Sequence, residues 1–436
     1  MKPGVAGELR ILPDQLAAFQ RAMLAEAPLE SVAACTAGWW IDDEGRIHLL
    51  WRSFRTASDG DYLRRGGAGA VVKPEFLAPT VKRVRSRREA LVLAHTHPFS
   101  DVPRFSGIDD GGEDVLIPKV RERAPDAPHG GFVLGRRGGS ARAWPPGADT
   151  PRPLDLRGMR GDPVRGADVA TYGRQDLALG PGTAAQLAQR RVAVVGVGGL
   201  GWEVASLLWS HGVGTLALID DDRVEEHNRP RLRGARREDV GSGKPAALAD
   251  QLRRSRSDGT IEAIGSRFDA ATARAAAAHV DVIIVATDNL ASRLDVDRFA
   301  RRLLIPVVDV GVNIQVREGH VHRVGGRVNV SWPTGPCLTC MGVLTPDAIA
   351  LEVDPLGYRG LDREPEAAVA AFNATLGGLG AVETLDLLLG FRGQALGSRY
   401  LAYDGLRGTV REISVPDPGA CGTCADLPGA VFGALP

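Results

Sequence analysis

The chain has 436 residues, enough for two or three domains, and its 53 basic and 53 acidic residues cancel to a formal net charge of zero. That balance argues against nucleic-acid or membrane-surface binding as a main role. No apolar run reaches membrane-spanning length and the first residues lack a secretory pattern, so no membrane partner is expected and the cytoplasm is the expected location.

The first informative element is an apolar strand predicted over residues 90–94, followed at once by His95, Thr96, His97 and Pro98. His95 and His97 are two apart, so on an extended backbone both imidazoles face one side. With Asp109 they supply three ligands for a zinc ion and leave a fourth position to water, the arrangement of a catalytic site. Ser106 is placed to hydrogen-bond a developing oxyanion. The His95-Thr-His97-Pro98 run, with Ser106 and Asp109 after it, resembles the JAMM (JAB/MPN) metalloprotease family. The resemblance implies an α/β domain over residues 1–150 that cleaves ubiquitin-like proteins at their C-terminus. It also implies a glutamate general base, and Glu30, in Pro28-Leu-Glu30-Ser, fits that context. Glu26 is the nearest competitor, and a solvated helix end is the plain alternative for Glu30. Two departures are visible: Asp109 follows His97 by one residue more than usual, and Ala33 stands where glycine is usual. An inactive domain is the alternative they leave open.

Residues 151–168, rich in proline, glycine and arginine, are expected to form a linker to a second domain at 169–436. There a strand predicted over 192–195 runs into Gly196, Gly198, Gly199 and Gly201, and a helix is expected over 202–211. Glycines between a strand and a helix let the backbone approach a phosphate at the helix N-terminus. The loop alone fits a dehydrogenase, an adenylating enzyme or a plain turn. A second strand, 215–219, ends in Asp220 and Asp222, two apart and so on one side if the strand continues. Such a pair suits a ribose hydroxyl and a magnesium ion, and Arg231 and Lys244 add positive charge for a triphosphate.

With Val224, Glu225, Asn228, Gly241, Thr287-Asp288-Asn289 and Arg293, these residues resemble the ThiF/MoeB/HesA family, the adenylating domain of ubiquitin-activating enzymes. Tyr172-Gly-Arg174-Gln175 is similar to the family's opening motif. The resemblance implies a Rossmann-like fold that joins the C-terminal carboxylate of a ubiquitin-like protein, usually ending in Gly-Gly, to the α-phosphate of ATP. It assigns Asp220 to the ribose, Asp222 and Asp288 to magnesium, Asn228 to nucleotide placement, and Arg231 and Lys244 to the phosphates. Arg174 would reach into the neighbouring site of a homodimer. Leu232 departs from the family's usual glutamine. The loop-prone stretch 355–365 is expected to act as a lid.

Four of the five cysteines form two C-x-x-C pairs, Cys337 with Cys340 and Cys421 with Cys424. Two pairs complete a four-thiolate structural zinc site. Free buried thiols or a disulfide are the alternatives. Residues 342–420 contain no cysteine, and Cys35 sits on an apolar stretch of the first domain. The enzyme is therefore expected to stop at the adenylate and pass it to a sulfur donor or a conjugating enzyme. The expected whole is an α/β chain using ATP, magnesium and two zinc ions to process and activate one ubiquitin-like partner. A nicotinamide-dependent oxidoreductase and an inactive scaffold binding a ubiquitin-like protein are the rival readings.

Overall fold

The structure is a computed structural model; it describes residues 6–67, 69–157, 169–345, 347, 349, 367–415 and 421–435. The chain divides into two compact units. The first comprises Met1–Arg160, Arg302–Leu304 and Pro428–Pro436, the second Gly161–Arg301 and Ile305–Leu427. Two expected boundaries shift. The linker expected over 151–168 starts as a strand of the first unit, Arg152–Arg157, and 158–168 lie outside the described residues. The end of the chain, expected in the second domain, returns to the first unit, where Phe432–Gly433 pairs in parallel with Trp39 and Trp40.

In the first unit the strands are β1 (Gly7–Arg10), β2 (Val32–Ile41), β3 (Ile47–Thr56), β4 (Tyr62–Gly66), β5 (Gly69–Val72), β6 (Ala90–Thr96), β7 (His129–Leu134), β8 (Gly139–Trp144) and β9 (Arg152–Arg157). Seven of them run in the order β2-β3-β1-β9-β8-β7-β6, and β6 pairs again with β2, so the sheet closes on itself. Closure leaves no bare edge among those seven. Helix α1 (Pro13–Leu24) buries Leu16, Phe19 and Met23, a stripe at helical spacing. Phe19 meets Trp51 of β3 at 4.8 Å between ring centres and Phe132 of β7 at 5.8 Å. Each such side chain contributes roughly 2 kcal/mol by leaving water. Helix α2 (Pro74–Arg87) lays Phe76 and Leu77 against Val32, Ala34 and Tyr62. Helix α3 (Gly107–Arg121) follows β6, and β4 and β5 form a separate hairpin.

The second unit holds α4 (Val169–Leu179), α5 (Thr183–Leu187), β10 (Arg191–Val195), α6 (Gly199–Ser210), β11 (Thr215–Ile219), α7 (Lys244–Ser255), β12 (Thr260–Ile264), α8 (Ala271–Ala278), β13 (Val282–Val285), α9 (Leu290–Arg302), β14 (Val307–Arg317), β15 (His320–Ser331), α10 (Ala370–Leu389), β16 (Arg399–Asp404) and β17 (Thr409–Ile413). Its sheet runs β12-β11-β10-β13-β14-β15-β16-β17, parallel as far as β14 and antiparallel beyond. Val192–Val195 are all buried, as central parallel strands covered on both faces must be. The order β10, β11, β12 goes one way and β13, β14 the other, so the chain reverses between β10 and β13. That reversal opens a crevice at the strands' carboxyl ends. The predicted strands at 192–195, 215–219 and 282–285 are all present, and the helix expected over 202–211 starts three residues earlier. Leu232 is 1 % exposed in this core, which accounts for an apolar residue there. The stretch 355–365 lies outside the described residues.

Candidate functional sites

The crevice at the strand reversal is a cavity of about 970 Å³, lined by Gly196, Gly198, Gly199, Asp220, Asp222, Arg231, Lys244, Thr287, Asp288, Asn289 and Arg293, among others. Gly196 turns the chain at φ +88°, and a Cβ there would sit 2.6 Å from the Thr287 nitrogen. Gly201 does not line the cavity. A Cβ on it would strike the Gly196 carbonyl at 1.9 Å, so its bareness lets α6 start close under the loop. With no capping side chain at Gly198, the first N–H groups of α6 remain available to an anion.

The acidic cluster forms differently from the alternation expected. Strand β11 stops at Ile219, so no extended backbone orients Asp220 and Asp222. Instead Asp220 accepts hydrogen bonds from the N–H groups of Val197 (2.6 Å) and Asp222 (2.8 Å). The turn brings in Asp221 too, and the three carboxylates lie within 4.8 Å of one another. Burial raises the Asp220 carboxyl above its ordinary range, outweighing the nearby Lys244. Lys244, almost buried, reaches the Asp222 carboxylate at 2.5 Å. Asp288 lines the same cavity outside the three-carboxylate cluster. Arg293 is buried against Asp309, which also holds Arg327 at 3.0 Å.

Asn228 stands elsewhere than expected, and Arg174, expected to serve a neighbouring copy's site, lies outside this chain's own cavity lining. Asn228 is 4 % exposed and its Oδ1 accepts the Glu225 N–H within a short helical turn; it does not line the cavity. Arg174 projects from α4 outside the cavity lining, while its neighbours anchor the helix: Gln175 bonds His211 at 2.9 Å and Tyr172 packs beside Gly212. Sequence reasoning missed Asn373 of α10, which lines the cavity and is 3 % exposed. No motif surrounds it, and only the packing of α10 on α6 brings it in.

The four paired cysteines converge in the second unit. Cys337 Sγ lies 3.5 Å from Cys340 Sγ and 3.9 Å from Cys421 Sγ, and Cys340 Sγ lies 3.7 Å from Cys424 Sγ. None is in a disulfide. The N–H groups of Cys340 and Thr423 point at Cys337 and Cys421 sulfurs at 3.4 Å each, which suits thiolates. Four sulfurs so placed form a four-cysteine cluster able to bind a structural zinc ion.

In the first unit, His95, His97 and Asp109 bring their ligand atoms within 4.8 Å of one another. His95 Nε2 is 2.9 Å from Asp109 Oδ1 and 3.3 Å from His97 Nε2; His97 Nε2 is 3.6 Å from Asp109 Oδ2. The sequence folds this way because β6 carries His95 and ends at Thr96, while Ser106 caps α3 and fixes Asp109 in its first turn. Ser106 Oγ donates to Asp109 Oδ2 at 2.8 Å and accepts the Asp109 N–H at 3.4 Å. Its hydroxyl proton therefore orients Asp109, not a free oxyanion position as expected. Burial would raise the Asp109 carboxyl, but the His95 and Ser106 donors hold it well below the usual range. Glu30, 8 % exposed just before β2, lines the same cavity of about 710 Å³ as His95, His97, Ser106 and Asp109. Burial raises its carboxyl, with His95 partly offsetting. Glu26 instead pairs with Arg65 in solvent and is absent from that lining. The remaining walls are mainly apolar, from Val71 and Val72 of β5 to Leu116 of α3. Cys35 is fully buried, and burial pushes its thiol well up.

Among the described residues no helix is long and apolar enough to cross a membrane. The sequence model of the ThiF family matches residues 172–423. The SAMP-activating enzyme E1 of Haloferax volcanii is 31% identical over 247 residues, 56% of this chain and 84% of that protein. The sulfur carrier protein adenylyltransferase of Thermus thermophilus is 30% identical over 260 residues, 57% of this chain and 88% of that protein. The adenylyltransferase and sulfurtransferase MOCS3 of Caenorhabditis briggsae is 29% identical over 268 residues, 60% of this chain; the match spans only 62% of that relative's length. Among solved structures, Escherichia coli MccB with ATP superposes with a TM-score of 0.47 at 18% identity, over 58% of this chain and 74% of that one.

Proposed function

The chain belongs to the ThiF family, and from that premise we propose that its second unit uses ATP to adenylate the C-terminal carboxylate of a ubiquitin-like or sulfur-carrier protein. The observation that carries this reading is the cavity in which the glycine loop, Asp220, Asp222, Arg231, Lys244 and Asp288 meet at the sheet's reversal. The names of the Haloferax and Thermus relatives support the substrate class. Asp220 is assigned the ribose, and Arg231 and Lys244 the phosphates. Asp222 and Asp288 are assigned a magnesium ion, which would neutralise phosphate charge. The loop's N–H groups and Lys244 would hold the α-phosphoryl group while the carboxylate attacks it, so the protein's work is positioning and charge stabilisation. Lys244 on Asp222 and the four-cysteine cluster favour this reading over a nicotinamide cofactor.

Arg174, exposed on α4, is assigned to a neighbouring copy's site in a homodimer. No cysteine follows Cys340 before Cys421, so the adenylate would pass to a sulfur donor or a conjugating enzyme's thiol. The test is exchange of labelled pyrophosphate into ATP with a purified ubiquitin-like protein ending in Gly-Gly. Exchange is expected with that protein and absent when its last glycine is removed. No exchange with any such protein from the same organism would overturn the reading.

A second reading concerns the first unit, and the convergence of His95, His97 and Asp109 with Glu30 on one cavity favours it. We propose a JAMM-like zinc peptidase that cleaves after the Gly-Gly of a partner's precursor or conjugate. The donor set fits the ion: two imidazoles and a carboxylate whose ligand atoms lie within 4.8 Å of one another. Zinc bound there would polarise a water and the scissile carbonyl. Glu30 would take the water's proton and pass it to the leaving amine, while Ser106 fixes Asp109. Mass spectrometry of the partner's tail after incubation tests this. An intact tail with zinc-loaded protein, in precursor and conjugate alike, would leave the unit a binding module.

A further inference from the structure

Asn373 is a buried polar group that the adenylation roles above leave unused. It sits in the first turn of α10 and is 3 % exposed, yet it lines the nucleotide cavity beside Gly198 and Gly199. Its backbone N–H bonds the Val369 carbonyl at 3.2 Å; among the described residues its side-chain amide makes no hydrogen bond. Neither of its amide atoms is among the enclosed, unpartnered side-chain atoms, so the amide is open to the cavity that it lines. In a first turn that is otherwise Ala370, Ala371 and Phe372, Asn373 is the one residue whose side chain can offer a hydrogen bond to a ligand in the cavity.

Its surroundings narrow the partner's chemistry. A Cβ built on Gly199 would lie 2.2 Å from Asn373 Nδ2, so the amide rests directly on the first residue of α6. The N-caps of α6 and α10, Gly198 and Val369, both lack a capping side chain. Two helix N-termini and a neutral amide therefore meet at one corner of the cavity, a setting that favours a phosphoryl oxygen. The helices are held there by close packing: a Cβ on Gly377 would strike the Glu203 Cβ at 2.7 Å.

We propose that Asn373 donates a hydrogen bond from its amide to the α-phosphoryl group of bound ATP. The inference rests on the adenylation reading above. In that reaction the partner's carboxylate oxygen bonds to the α-phosphorus, the bond from that phosphorus to the bridging oxygen breaks, and pyrophosphate leaves with the electron pair. Negative charge gathers on the α-phosphoryl oxygens during the exchange, where a fixed donor stabilises it. An amide donates without adding charge, so it does not compete with Lys244 or a magnesium ion for the outer phosphates. It also explains the bare Gly199: any side chain there would push the amide off the phosphate.

The experiment is a titration of the full chain with adenosine, AMP and the α,β-methylene analogue of ATP, for wild type, Asn373→Ala and Asn373→Asp. Adenosine lacks the α-phosphate and should bind all three proteins equally. AMP and the ATP analogue should bind Asn373→Ala about tenfold more weakly, the size of a lost hydrogen bond to a charged group. Asn373→Asp, of the same shape, should lose more, because its carboxylate repels the phosphate. Equal weakening toward adenosine would make Asn373 a structural residue, and wild-type affinity for AMP and the analogue in both variants would equally overturn the proposal. If Asn373→Ala melts early, Asn373→Asp decides alone. Wild-type protein that binds none of the three would sink the ATP reading itself, a different outcome from a null effect at Asn373.

Discussion

Around the nucleotide cavity the walls are glycine backbone, carboxylates and cations; around the histidine cavity they are largely valine, leucine and alanine, with a polar cluster at one place. The first is assembled from loops after β10, β11 and β13, whose shared direction brings the loop ends together. The second depends on one strand end and one helix cap only 14 residues apart in sequence, His95 to Asp109, completed by Glu30 from before β2. The energy for binding therefore comes from different sources in the two cavities. A site of backbone N–H groups and charges suits a small polyanion. An apolar trough beside three ligand atoms suits an extended peptide tail, whose side chains leave water along the trough.

The largest expected effect falls on neither cavity. Cys421→Ser removes one of four sulfurs from the cluster, and structural zinc contributes folding free energy directly. The variant should lose one zinc ion per chain and be destabilised by roughly several kcal/mol, seen as a lower melting temperature and a lower metal content. A variant that keeps its zinc and its melting point would remove Cys421 from the ligand set.

Asp288→Ala addresses the polar cavity. Asp288 is exposed at the end of β13, so its loss should leave the fold alone. Pyrophosphate exchange should fall roughly 100-fold or more, the cost of losing a group aimed at developing charge, while tail cleavage persists. Normal exchange would take Asp288 out of the mechanism. Glu30→Gln is the reciprocal experiment. The amide cannot accept a proton, so cleavage should drop by roughly 100-fold or more with zinc content and exchange unchanged. Loss of both activities in either variant would break the division of labour between the two cavities. Equal cleavage by Glu30→Gln would move the base elsewhere.

Much of both sites was legible because their chemistry is local in sequence. The glycine loop, Asp220 to Asp222, the C-x-x-C pairs and the His95–Asp109 run each announce themselves within a few residues. What stayed hidden depends on distant pairing or on competing local bonds. Asn228 was expected at the nucleotide, but its own turn claims its side-chain oxygen. Ser106 was expected to face an oxyanion, but the start of α3 claims its hydroxyl. Asn373 carries no motif, and its place follows from α10 packing on α6. The closure of β6 on β2, and the return of Phe432–Gly433 to β2, join residues far apart in sequence. Alternation and spacing hold no record of such pairings.

The smallest effect concerns acid, and it sets the first unit apart. His129 on β7 is buried, and burial pulls its imidazole down to about 4 from an ordinary 6.5; the Ala124 carbonyl works against this and Arg121 with it. The neutral ring is the one the fold uses: Nδ1 accepts the Leu91 N–H at 3.1 Å, and Nε2 donates to the Ala124 carbonyl at 3.0 Å. Because the folded value lies below the unfolded one, the unfolded chain binds the proton more readily. Stability is therefore intact above about pH 6.5, falls as pH drops from there toward about 4, and changes no further from this group below that. The full loss is about 3 kcal/mol, with about 1.4 kcal/mol already gone at about pH 5.5. Protonation also takes away the acceptor for Leu91, in the strand that delivers His95. Wild type and His129→Gln should be compared by chemical denaturation between about pH 7 and pH 5. Glutamine offers a donor and an acceptor but does not titrate, so its slope of stability against pH should be shallower. Parallel slopes would mean that His129 is already free to protonate, and that the strand beneath the histidine cavity is held by something else.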